Sequence, residues 1–387
     1  MILFFPFDLL SHYLRCLQLA KSFTGVEIKF PYSAKYHHLV AEAGFGTFPY
    51  QGLPTQEVME SAAGFSFPWM QEEILEKAFL EQVKVIQQFR PTLVIGDADF
   101  TLRMAAAYTG VPHVSLINGY MSAYYAVTKR LPKDHPINRL FFFLPNKLFA
   151  RISVQTEKVV LRHVHAPFRR IAKKYGIQSK AHLLQELQGE LTLIVDLPEL
   201  FPQKSLPSHH KQIGPLFHLS RGEEDHKMRS SDNAKKTIFV SVGSSGDMSK
   251  FRFLEEECYS KYHILIAGKS DYLWKAAHVQ YFEFVHLEQV LASIDLFICH
   301  GGNGTIYQAL QAGIPVLCAP ANFEQEWNLQ GLERAEVGER LAPSNPFAQI
   351  EEWCERKGTG KWKDLSSKID IQHTLSAFQN CLNSIAI

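Results

Sequence analysis

Along the first 120 residues, short runs of consecutive apolar and β-branched positions alternate with longer stretches in which apolar positions recur every three or four residues. Residues 2–7 predict a strand, 13–23 a helix, 26–30 a strand and 34–43 a helix. A loop rich in glycine and proline follows, then a long helix over 68–89, a strand at 92–96, a helix at 101–108 and a strand at 113–117. Strands separated by helices at this spacing predict a parallel sheet covered on both faces. Residues 129–190 read as mostly helical and 191–195 as a further strand, whereas the proline-containing stretch 198–215 breaks regular structure and 219–236 is polar and charged. From 237 a second alternating series begins, with strands at 237–242, 263–267, 282–285, 296–299 and 316–319 and helices at 251–259 and 302–312. The pattern predicts an α/β chain of two doubly wound, Rossmann-like lobes: residues 1–215, a linker over 216–236, and residues 237–387. No period of 20–50 residues recurs, which excludes solenoids and propellers.

Composition adds little to this picture, since 46% hydrophobic and 20% charged residues are the shares of an ordinary globular protein. The apolar start carries no preceding basic residue and is interrupted by Pro6 and Asp8, so it reads as a first strand rather than a secretory leader. No run approaches the roughly 18–20 apolar residues of a membrane helix. The cysteines Cys16, Cys258, Cys299, Cys318, Cys354 and Cys381 lie far apart without a Cys-x-x-Cys pair, so a reduced, cytoplasmic location is expected. Charge does change the picture. Within residues 147–180, Lys147, Arg151, Lys158, Arg162, Arg169, Arg170, Lys173, Lys174 and Lys180 face only Glu157. That is a local surplus of eight in a chain whose net charge is +1. Interleaved with Leu148, Phe149, Val159, Leu161, Phe168 and Ile171, it reads either as a solvated helix face or as a peripheral contact with an anionic membrane.

The strongest local signal is His300-Gly301-Gly302-Asn303-Gly304-Thr305, which follows an apolar strand and opens a helix ending at Gly313. A glycine turn between strand and helix gathers backbone N–H groups and the positive helix end at one place, which suits a phosphate. The Thr305 hydroxyl and a ring N–H of His300 are placed to donate to the same group. Beyond the next strand, which Pro320 closes, the adjacent Glu324 and Gln325 fall at the carboxyl edge where such sheets bind ligands, and they suit sugar hydroxyls.

These residues resemble a family, the nucleotide-sugar glycosyltransferases that include bacterial macrolide and plant flavonoid enzymes. The family pattern His-x-Gly-x-x-Ser/Thr-x-x-Glu, Gly-x-Pro, Pro-x-x-x-Asp/Glu-Gln-x-x-Asn is met in register by His300, Gly302, Thr305, Gln308, Gly313, Pro315, Pro320, Glu324, Gln325 and Asn328. The resemblance implies the GT-B fold, two lobes facing each other, and inverting, metal-independent transfer of a hexosyl group from a UDP- or dTDP-sugar. It implies that His300 and the turn from Gly302 through Asn303 and Gly304 to Thr305 hold the diphosphate, with Gly243, Ser244 and Ser245 as a second phosphate loop. Glu324 and Gln325 would bind sugar hydroxyls, Phe284 would flank the base ring, and Val285 would give it backbone contacts. Gln308 departs from the family's glutamate, and an amide offers one acceptor oxygen where a carboxylate offers two for the ribose hydroxyls. No cofactor beyond the nucleotide-sugar cosubstrate, and no nucleic acid, is expected.

Transfer with inversion needs a base for the acceptor hydroxyl. His12 follows the first strand at its carboxyl edge, and Asp97 ends the strand at 92–96 at the same edge, where it would orient the imidazole; Asp99 is an alternative partner. His12 also fits the family's Gly-His opening, with Ser11 in place of the glycine and Leu19-Ala20 in register. Asp97-Ala98-Asp99 resembles a metal-binding Asp-x-Asp, but it leads into a helix of the other lobe, so no metal is expected. The acceptor is expected to be a hydroxylated small molecule or a lipid, with Phe65, Phe67, Trp69, Tyr120, Tyr124 and Tyr125 as candidate pocket residues. A nucleotide-sugar 2-epimerase and a non-catalytic partner of another transferase are the alternative functions.

Overall fold

The computed structural model describes residues 1–63, 66–130, 146–217, 235–241, 248–283, 285–358 and 360–383. Seven strands form the first sheet: β1 (Ile2–Pro6), β2 (Ile28–Pro31), β3 (Gly46–Phe48), β4 (Leu93–Asp97), β5 (His113–Ile117), β6 (Leu191–Ile194) and β7 (His210–Gln212). All neighbours pair in parallel, in the order β3-β2-β1-β4-β5-β6-β7. The second sheet, also parallel, contains β8 (Thr237–Ser241), β9 (His263–Ala267), β10 (Val279–Phe282), β11 (Leu296–Cys299), β12 (Val316–Cys318) and β13 (Gly338–Arg340) in the order β10-β9-β8-β11-β12-β13. The expected α/β, doubly wound architecture is therefore present twice. Strand order reverses between β1 and β4 in one sheet and between β8 and β11 in the other, and such reversals open a crevice outside the carboxyl ends of the strands.

The period-two geometry of a strand sorts the first core into two layers. Leu3, Phe5 and Val94 join the cluster containing Phe79 and Ile86 of the helix Glu72–Phe89. Ile2, Phe4, Leu93 and Ile95 join the opposite cluster, with Tyr13, Cys16, Leu17 and Ala20 of the helix Leu10–Ala20. Those last four positions recur at helical spacing, which is why this segment winds as a helix against the sheet.

The expected boundaries need a correction. The first compact unit comprises Met1–Lys129, Lys133–Phe217 and Ile371–Ile387, and the second Arg130–Pro132 and His218–Asp370. The final helix, Ile371–Asn383, thus belongs to the first unit and not to a C-terminal domain over 237–387. Packing explains this: Phe378 and Leu382 are buried in the cluster of Phe4 and Leu19, and the Phe378 ring meets Phe23 edge-on at 5.7 Å. Burying one such ring contributes about 1.5–3 kcal/mol. The Gln379 amide also donates to Ser22 Oγ at 2.8 Å. Elsewhere the differences are local. Short strands β3, β7 and β13 carry too little pattern to be seen, and residues 248–259 form two 3-10 segments, Met248–Glu255 and Glu257–Tyr259, in place of an α-helix.

Candidate functional site

At the carboxyl edge of the first sheet, four side chains from three elements meet. His12 and Arg15 stand one turn apart on the helix Leu10–Ala20, Asp97 ends β4, and Asn118 follows β5. His12 Nδ1 lies 3.0 Å from Asp97 Oδ1. Arg15 grips the same carboxylate with both arms, Nε to Oδ2 at 2.9 Å and Nη2 to Oδ1 at 2.5 Å, and its Nη1 donates to Asn118 Oδ1 at 2.6 Å. Asp97 is fully buried, whereas the His12 side chain keeps 16% of its exposure, so the imidazole is the part of the group that reaches solvent. Burial alone would raise the Asp97 pKa; the Arg15 guanidinium first, and His12 second, outweigh it and hold the carboxyl below its usual range. Asp97 is an anion at neutral pH.

Asp99 turns elsewhere. Ala98 adopts a left-handed backbone, φ 56°, and reverses the chain after Asp97. Asp99 Oδ1 then accepts from the backbone of Thr101 and Leu102, while Oδ2 accepts from Gln82 at 2.8 Å. Burial raises the Asp99 pKa despite these bonds. The imidazole partner is therefore Asp97, and the two aspartates of Asp-x-Asp serve separate neighbours. Among the described residues no group of three or more His, Cys, Asp or Glu side chains is arranged to hold a metal ion.

In the second unit, β11 ends at Cys299 and the chain turns through Gly301, whose φ of 93° suits glycine. At Gly302 an added Cβ would lie 2.6 Å from His300 Nε2, so a larger residue would displace the ring. The helix Asn303–Gln311 starts without a side-chain cap; its first backbone bond runs from Ile306 N to Gly302 O. Burial pushes the His300 pKa down, with the Ser241 backbone opposing, so the ring is neutral near pH 7 and has one N–H to donate. Asn328 fixes the turn from behind, its amide donating to Gly301 O at 2.9 Å.

Glu324 and Gln325 lie in the first turn of the helix Phe323–Ala335, which Asn322 caps. Gln325 is buried and its Oε1 accepts from Ala321 N at 2.7 Å, which leaves the amide hydrogens as its means of contacting a ligand. Val285 and Gln308 are half-buried. Gly243, Ser244, Ser245 and Phe284 lie outside the described residues, as does Phe65.

The aromatic expectation needs correcting. Trp69, Tyr120 and Tyr125 are buried, packed on Phe100 or Phe201, and serve as core. A small recess of about 60 Å³ is lined by Phe7, Asp8, Tyr32, Tyr50 and Asp99 among others. Phe7 stands edge-on to His12 at 6.0 Å. Sequence reasoning missed Arg15 and Asn118 as members of these sites, whereas Asn328 was already in the family pattern. Arg15 did leave a signal: it is a charged residue inside the buried stripe of Tyr13, Cys16 and Leu17.

Residues 237–345 match the family model of the glycosyltransferase family 28 C-terminal domain. A PGL/p-HBAD biosynthesis glycosyltransferase of Mycobacterium tuberculosis is 26% identical over 338 residues, 85% of this chain and 77% of the relative. A PGL/p-HBAD biosynthesis rhamnosyltransferase of Mycobacterium bovis is also 26% identical over 338 residues, covering 85% of this chain and 74% of the relative. Among solved structures, the glycotransferase of kitacinnamycin superposes with a TM-score of 0.70 over 98% of each chain at 17% identity.

Proposed function

For a chain that is a glycosyltransferase of the GT-B fold, we propose a division of work in which the second unit holds a nucleotide-diphosphate sugar and His12 of the first unit deprotonates the acceptor hydroxyl. The acceptor oxygen attacks the anomeric carbon, the bond from that carbon to the diphosphate breaks with inversion, and the hydroxyl proton passes to His12 Nε2. Asp97 keeps the imidazole oriented and offsets its new charge. The departing diphosphate takes its stabilisation from the turn at Gly302–Thr305, the neutral His300 ring and the helix N-terminus. The observation carrying this reading is the 3.0 Å contact of His12 with a buried, ionised Asp97 at the strand reversal.

The donor is a UDP- or dTDP-sugar, and the relative named as a rhamnosyltransferase makes rhamnose the first sugar to test. The acceptor is a hydroxylated small molecule or a lipid. A lipid acceptor agrees with the basic helices Asn146–Val164 and Ala166–Lys174. Leu148 and Val159, three turns apart and 45% and 65% exposed, share a face there. Arg170 and Lys174 are engaged by Glu72 and Glu76, so a peripheral membrane contact would rest on exposed Lys158, Arg162, Arg169 and Lys173. Flotation with anionic vesicles at low salt, absent with neutral ones, is the expected result, and equal behaviour of both removes the contact.

Thermal-shift screening of UDP- and dTDP-sugars followed by incubation with acceptor pools tests the reaction itself. A new glycoside is expected. An isomerised free donor in the absence of acceptor would replace transfer with epimerisation.

A further inference from the structure

The strands β1, β2 and β3 are neighbours in the first sheet, and the residues just past their carboxyl ends, Phe7 with Asp8, Tyr32 and Tyr50, line the recess of about 60 Å³. Tyr13 and Asp99 also line it. A single water needs about 10–15 Å³, so there is room for a small head group and not for a whole acceptor. Four aromatic rings and two carboxylates face this space, and no Lys, Arg or His lines it. The two carboxylates differ. Asp99 is already engaged, accepting from Thr101, Leu102 and Gln82. Asp8 is not used by the fold: the helix Leu10–Ala20 begins at Leu9 without a side-chain cap, and Asp8 Oδ1, shielded from solvent, meets no donor among the described residues. The Tyr13 hydroxyl does not serve it, because it donates to Pro31 O at 3.0 Å. A carboxylate oxygen kept from water without a donor is unfavourable, so the recess favours whatever brings one.

We propose that this recess is a binding subsite for a protonated amine, with Asp8 as the charged acceptor and the rings of Phe7, Tyr13, Tyr32 and Tyr50 around the cation. Charge and surface select that occupant together. A hydroxyl would satisfy the oxygen and leave the charge uncompensated, and a hard metal ion wants six or more oxygens around it, which aromatic walls do not offer. An ammonium group brings N–H donors to Asp8, and its positive charge is attracted by aromatic faces. The site stands independently of the proposed transfer, since filling it requires only a cationic head of the right size. Phe7 is common to the recess and to the surroundings of His12, whose ring it meets edge-on at 6.0 Å. The amine is therefore either the head group of an acceptor or a separate small ligand, and the two are told apart by kinetics.

The test is a titration of the full chain with 2-aminoethanol near neutral pH, read by saturation-transfer NMR. The control is 1-propanol, which carries a methyl group where the amine carries its ammonium, at matched ionic strength. Saturable binding of the amine is expected, about tenfold tighter than any binding of the alcohol. Asp8→Asn keeps the shape and removes the charge, and is expected to weaken the amine about tenfold. Tyr32→Leu, at a ring that is 51% exposed, is expected to weaken it about threefold. No saturable binding of the amine, equal binding of the alcohol, or an Asp8→Asn that holds the amine as wild type does would overturn the proposal. Displacement of the amine by calcium chloride, and not by sodium chloride of equal ionic strength, would make this a metal site and overturn it too. Should Asp8→Asn fail to fold, the wild-type comparison of amine with alcohol still decides. With the site established, inhibition of transfer by 2-aminoethanol competitively with the acceptor assigns the ammonium to the acceptor, and unaltered transfer assigns it to a separate ligand. The binding readout needs no turnover, so failure of the proposed reaction leaves it intact.

Discussion

The first sheet reverses its strand order between β1 and β4, the second between β8 and β11, and the two reversals are furnished in opposite ways. At the first, charged and polar side chains fill the edge and satisfy one another: Arg15 bonds Asp97 and Asn118, and Asp97 takes His12. What remains available is the outer nitrogen of one imidazole. At the second, glycines replace side chains, the following helix has no side-chain cap, and backbone N–H groups with a neutral histidine form the edge. On the proposed reading, one topological position serves proton handling when packed with buried ions and anion binding when stripped to backbone. Fold supplies the location, and residue choice supplies the chemistry.

That contrast breaks most visibly at His12. His12→Ala is expected to lower kcat by about 10²–10⁴-fold, the usual value of a positioned base, which steady-state kinetics at saturating donor will read. Next in size is Asp97→Asn, which leaves the buried Arg15 charge without its partner and is expected to cost about 3–5 kcal/mol in a urea melt. Its sign with pH follows from the lowered carboxyl. The stabilisation by Asp97 is complete above the unfolded-state value near 4 and is lost as pH falls through the lower folded value, so wild type should show an acid slope that Asp97→Asn lacks. In the second unit, Gly302→Ala pushes the His300 ring and is expected to raise donor KM about tenfold, or ~1.4 kcal/mol, with kcat little changed. The smallest effect belongs to Gln308→Glu, which adds an acceptor for ribose hydroxyls and is expected to tighten nucleotide binding about fivefold, within the ~1 kcal/mol of one hydrogen bond. Activity is expected to survive EDTA, and loss restored by magnesium would give Asp-x-Asp a role it lacks in this scheme.

Much of this was readable in the chain. The apolar run of β1 and the helical stripe Tyr13, Cys16, Leu17 and Ala20 announce a buried parallel strand followed by a covering helix, because each buries one continuous surface. The turn at His300–Thr305 was visible because its glycines are required locally. Three things were not. The final helix looks like the close of the second domain, since nothing local to Ile371–Asn383 records that Phe378 completes a core begun at Ile2. Arg15 lies 82 residues from Asp97 and 103 from Asn118, and pairing over such separations exists only once the strands are assembled. The choice of Asp97 over Asp99 likewise depended on one left-handed residue, Ala98, which no periodicity marks.

The division of labour between the two edges is tested most directly by calorimetric titration of UDP and dTDP into His12→Ala beside wild type. At least one nucleotide is expected to bind both proteins with dissociation constants within twofold of each other, since on the proposed division the imidazole serves the acceptor alone. Binding that vanishes with the imidazole, or no heat from either nucleotide with wild type, would contradict it.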